Sequence, residues 1–109
     1  LKLVGRISLE EVKEKKLVRV PYAPFDVLVA WKDGQVYALE DACNHAGASL
    51  SEGWIEGDCV ACPMHGYVFQ LSTGKLLRPR GLCGDQRTYR VIVDGDEIAI
   101  YDAFSLVIT

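Results

Sequence analysis

The sequence predicts an all-β fold in which one antiparallel framework is interrupted by a loop-rich insert. Three observations carry this expectation. Short β-prone runs joined by turn dipeptides occupy both ends of the chain; seven glycines punctuate residues 41 to about 85; and one short segment reads as helix. With 109 residues, 50% of them apolar and 25% charged, the chain has the size and composition of a single globular domain with a modest core, spanning residues 1–109.

The elements follow in order. Ser8-Leu-Glu-Glu11 has the form of a capping box, so a helix is expected over about residues 9 to 15. Leu17 to Tyr22, Asp26 to Trp31 and Gln35 to Leu39 are β-prone, and Asp33-Gly34 between the last two is a hairpin signal. A second hairpin is expected where Thr88 to Val93 and Glu97 to Tyr101 flank Asp94-Gly95-Asp96. Within the insert, Trp54 to Ala61 and Tyr67 to Leu71 read as β-prone runs, with Trp31 and Trp54 as core aromatics. The apolar tail Ala103 to Ile108 is expected to dock on the framework or on a partner.

Charge and hydropathy remove some function classes. A net charge of −3 argues against nucleic-acid binding, which depends on clustered Lys and Arg, and the main basic cluster at Lys13, Lys15, Lys16 and Arg19 is diluted by Glu10, Glu11 and Glu14. No apolar run approaches the roughly 18 residues that would cross a bilayer, and the first twenty residues lack the order of a signal peptide. The expected location is the cytoplasm, with no membrane partner.

The insert holds all four cysteines and both histidines of the chain. Cys43-Asn44-His45 and Cys62-Pro63-Met64-His65 form a C-x-H and a C-x-x-H pair separated by sixteen residues, each beside a glycine. Two Cys and two His suit a mixed-ligand iron–sulfur centre, with thiolates on one iron and imidazoles on the other. They also suit a tetrahedral zinc site, and ligand count alone does not choose between them. Each loop contributes one Cys and one His, an alternation that suits a two-metal cluster better than the C-x(2–4)-C and H-x(3–5)-H halves of zinc fingers. Cys59 and Cys62 also form a C-x-x-C, but Cys59 lies in a β-prone run instead of opening a helix, so it reads as a buried core cysteine and not as half of a redox pair.

Cys43-Asn44-His45-Ala46-Gly47 and Cys62-Pro63-Met64-His65-Gly66 resemble the two cluster-binding boxes of the Rieske family, and Gly57-Asp58, Thr73-Gly74 and Phe69 fall where that family has them. The resemblance covers most of residues 26 to 101. It implies an antiparallel β sandwich of three layers, with a cluster-binding subdomain over about 41–85. It also implies one Rieske-type [2Fe–2S] cluster per chain, held by Cys43, His45, Cys62 and His65, and a third loop, Pro79 to Asp85, packed over the cluster. Cys83 in that loop is expected to shield the cluster or stand by.

Departures from the high-potential branch of the family narrow the expectation. That branch has a disulfide where this chain has Ala48 and Met64, and Ser and Tyr hydroxyls on cluster sulfur where this chain has Tyr67 and Phe69. Fewer hydrogen bonds to sulfur stabilise the reduced cluster less, so the potential should lie toward the lower end of the Rieske range, which runs from about −150 to +300 mV. The chain thus resembles the ferredoxin branch, an electron carrier and not itself an enzyme. A flavin-dependent reductase would be the donor and a terminal oxygenase or other oxidoreductase the acceptor. A small subunit of a larger complex, such as a nitrite-reductase-like assembly, and a zinc-stabilised binding module remain as alternatives.

Overall fold

A computed structural model describes residues 2–22, 26–42, 49–63, 66–78 and 85–102. Strands β1 (Lys2–Ser8), β2 (Leu17–Val20), β3 (Val27–Lys32), β4 (Gln35–Glu40), β9 (Thr88–Asp94) and β10 (Glu97–Asp102) build a six-stranded sheet in the order β1-β10-β9-β4-β3-β2. Strands β5 (Trp54–Glu56), β6 (Cys59–Ala61), β7 (Val68–Gln70) and β8 (Leu76–Arg78) form a second, meandering sheet in sequence order. Every pairing is antiparallel.

The expected helix is α1 (Leu9–Lys15), and the Ser8 hydroxyl accepts from the Glu11 amide as a capping residue should. Its single fully buried residue, Val12, anchors it. Both framework hairpins turn where expected. Asp33 and Gly34 have φ of 51° and 80°, the left-handed pair a type I′ turn requires. Asp94 pairs with Glu97 across Gly95-Asp96, with Gly95 at φ 63°.

Strand β3 explains the layering. Its first four residues are all buried, and they alternate between two cores because successive side chains leave opposite faces. Val27 and Val29 join Val12, Val18, Ala38, Tyr89, Ile98 and Ile100 inside the curled six-stranded sheet. Leu28 and Ala30 join Leu39, Leu50, Val60, Cys62, Tyr67, Phe69, Leu71 and Leu76 between that sheet and the small one. At β1 the register slips between Leu3 and Gly5, and a Cβ on Gly5 would lie 3.7 Å from Val20 on β2. The two edges of the large sheet therefore approach each other and leave it close to a barrel.

Several local expectations change. The run Trp54 to Ala61 is a hairpin, because Gly57 at φ 62° and Asp58 turn the chain between β5 and β6. Trp54 is 49% exposed and not a core residue: β5 is an edge strand, and the indole lies on the outer face, donating Nε1–H to Glu56. Cys59 pairs with Glu56 and Gln70 on that same outer face and is half-buried, not part of either core. Strands β1 and β8 carry no marked β signal in the sequence; the first is interrupted by Gly5 and the second has three residues. The apolar tail lies outside the described residues.

Candidate metal centre

Two loops of the insert carry the proposed ligands, and the structure describes what holds their feet. The first loop leaves β4 and returns at a bridge between Ala42 and Ser49, followed by a 3₁₀ turn, Leu50–Glu52. Asp41 organises this foot. Its carbonyl accepts from the Leu50 amide at 2.7 Å, and its own amide donates to Asp26. Its carboxylate, 1% exposed, accepts from the Ser51 amide at 2.7 Å and from the Ser51 hydroxyl at 2.9 Å. Burial pushes the Asp41 carboxyl above the usual range, while the two Ser51 bonds and Arg19 pull it back down.

The second loop connects β6 to β7. The Cys62 amide donates to the Tyr67 carbonyl at 2.7 Å, and the Gly66 amide donates back to the Cys62 carbonyl at 3.0 Å. Gly66 at φ 69° adopts the left-handed conformation this closure needs. Cys62 is fully buried and belongs to the same core as Leu50, Tyr67 and Phe69. The feet of both loops therefore rest on one apolar floor. A buried cysteine at the head of a tight turn, sharing its core with Leu50 at the foot of the other loop, fits a thiolate ligand of a mixed Cys and His centre.

Two glycines set the spacing below the loops. A Cβ on Gly53 would lie 1.8 Å from the Ala61 carbonyl oxygen, immediately before Cys62. A Cβ on Gly74, at φ 75°, would lie 2.1 Å from the carbonyl oxygen of Gln86. The Gln86 amide donates to Gly74 at 2.7 Å, and the Leu76 amide donates to the Asp85 carboxylate at 2.9 Å, so the foot of the third loop is fastened to the small sheet.

Of the four expected ligands, Cys62 lies among the described residues; Cys43, His45 and His65 lie outside them, as do Ala46, Gly47, Ala48, Met64 and Cys83. Tyr67 and Phe69 are buried at 6% and 0% exposure. Cys59 lies on the outer face of the small sheet, outside the core that holds Cys62, and burial first, then Asp58 and Glu56, push its thiol above the ordinary range. Asp41, Ser51, Gly53 and Gln86 were not singled out by the sequence. An Asp two residues before the first Cys was the one local signal available, and nothing local marks Gln86.

Known proteins resemble the chain in sequence and in fold. The model of the Rieske [2Fe–2S] domain family matches residues 4–81. The ferredoxin component of biphenyl 2,3-dioxygenase from Rhodococcus jostii RHA1 is 34% identical over 85 residues, 78% of each chain. The 3-phenylpropionate/cinnamic acid dioxygenase ferredoxin subunit of Photorhabdus laumondii is 36% identical over 94 residues, covering 85% of this chain and 88% of the relative. Among solved structures, the complex of reduced oxygenase and oxidized ferredoxin in carbazole 1,9a-dioxygenase contains a chain that superposes with a TM-score of 0.79 at 29% identity, covering 98% of this chain and 96% of that one.

Proposed function

The chain belongs to the Rieske [2Fe–2S] domain family, and on that premise we propose that it is a ferredoxin, carrying single electrons from a flavin-dependent reductase to a terminal oxygenase. Its cofactor is a Rieske-type [2Fe–2S] cluster, which supplies reversible one-electron chemistry. Family membership removes the zinc-module alternative.

In this reading Cys43 and Cys62 hold one iron through thiolates, and His45 and His65 hold the other through imidazoles. The observation that carries it is the common floor of the two loops: Leu50 at the foot of the first and Cys62 at the head of the second lie in one buried core. The elements below the loops fasten their feet. Asp41 and Ser51 tie the first loop to its 3₁₀ turn, and the Cys62–Tyr67 and Gly66–Cys62 bonds close the second.

The chain itself binds and presents; substrate turnover falls to the acceptor. Both partners dock over the loop tips, at Ala46, Gly47, Met64 and the two histidines, and the whole of residues 1–109 works as one unit in the cytoplasm. No helix among the described residues is long and apolar enough to cross a membrane. The net charge of −3 favours partners with basic faces through faster encounter, so transfer rates should fall as salt rises. Replacement of hydroxyl donors by Phe69 places the potential toward the lower end of the family range of about −150 to +300 mV.

EPR of the dithionite-reduced protein tests the ligand set. Histidine ligation lowers the average g value below that of an all-cysteine cluster, and the purified protein should hold about two irons per chain. Single Ala substitutions at Cys43, His45, Cys62 and His65 should each abolish the signal. Retention of the native spectrum in any of the four would remove that residue from the ligand set.

A further inference from the structure

Gln86 is 3% exposed, and its side chain joins parts of the chain that are far apart in sequence. Its Nε2 donates to the Glu40 carbonyl at 2.8 Å and to the Ala42 carbonyl at 2.7 Å. Two carbonyl oxygens can only be served by the NH₂ end of the amide, so its orientation is determined. Its backbone amide holds Gly74, where the missing Cβ lets the two chains approach. One residue later the Glu40 amide donates to Arg87, continuing the β4–β9 ladder. Gln86 therefore binds the foot of the first loop to the foot of the third.

We infer that Gln86 is a positioning residue that tunes the cluster through the Ala42 peptide. This rests on the ligand set proposed above. The peptide whose carbonyl Gln86 holds is the one that carries the Cys43 amide. A donor on that carbonyl withdraws electron density from the peptide and makes its N–H a stronger partial positive charge. Partial positive charge beside the ligand favours the reduced cluster, which carries one more negative charge than the oxidised one. Removing the donor takes its hydrogen bonds from both carbonyls and shifts the balance toward oxidation.

The test is a redox titration of the Gln86→Met holoprotein, which keeps side-chain length and removes both donors, alongside wild type. At a fixed poise near the wild-type midpoint the reduced-to-oxidised ratio should fall about threefold, equivalent to a midpoint about 28 mV lower for a one-electron couple at 59 mV per decade. The g values of the reduced protein should shift with it. Gln86→Asn, which retains a shortened amide, should move both in the same direction by less, and it carries the test if Gln86→Met fails to accumulate. A lower melting temperature with unchanged midpoint and unchanged g values in either variant would mean that Gln86 is structural only, and would overturn the inference. A wild-type spectrum without the histidine-ligated average g would instead refute the ligand set itself.

Discussion

Adding one methyl group at Gly53 should disable the centre from a distance. Gly53 has φ −87°, so no left-handed φ reserves the position for glycine. On chain entropy alone the substitution would stabilise the fold by about 0.4–1 kcal/mol. Contact predicts the opposite. The new Cβ would lie 1.8 Å from the Ala61 oxygen, whereas real Cβ atoms essentially never come within 3.0 Å, so residue 53 and the Ala61–Cys62 peptide must separate by at least 1.2 Å between them. Cluster ligation tolerates only about 0.2 Å of error in ligand distance. The obstacle is backbone on β6, held in its sheet, so it has no rotamer through which to escape. Overpacking of this kind costs about 1–3 kcal/mol, which for a domain of this size lowers the melting temperature by roughly 5–15 °C. Iron and sulfide content of the purified variant, visible absorbance and a thermal melt measure the outcome. Cluster content should fall to a minor fraction of wild type, with the melt shifted down. Wild-type iron content together with an unchanged or higher melting temperature would show that the Gly53–Ala61 contact does not position Cys62.

Three further predictions follow from burial and ionisation. Leu50 is fully buried in the core that floors both loops, so Leu50→Ala should lower the unfolding free energy by about 3–4 kcal/mol in chemical denaturation; a loss under about 1 kcal/mol would contradict that packing. Cys59→Ser should leave iron content and the EPR spectrum unchanged. In the wild-type protein, alkylation of Cys59 should be slow at neutral pH and rise about tenfold per pH unit, because its raised thiol pKa keeps the reactive thiolate scarce. Tyr22 and Tyr89 should ionise above the ordinary phenol range. Burial is the largest cause for both, and the Tyr22 hydroxyl also donates to Asp102. A folded pKa above the unfolded value of about 10 means their contribution is complete below that pH and is lost as pH rises through the folded pKa, so unfolding free energy should decline in that window. Tyr22→Phe should remove part of the late phenolate step; an identical titration curve would refute the assignment.

Sequence alone determined what is local. The Ser8–Glu11 cap, the Asp33-Gly34 turn and the Gly95 turn each follow from a few adjacent residues, because capping and left-handed φ are properties of short segments. The ligand pattern was legible for the same reason: Cys and His at fixed offsets inside two short boxes are a local signal. Exposure was less legible. Trp54 reads as a core aromatic until its strand proves to be an edge, and strand order depends on pairings that composition does not encode. What only the tertiary structure decided is how the two boxes are held. Asp41 reaches Ser51 across ten residues, and Gln86 reaches Ala42 and Glu40 across 44 and 46. Gly53 matters because Ala61 passes directly over it. These contacts exist only once the strands have paired, so no window of the chain announces them, although they govern where Cys62 and the foot of the first loop come to rest.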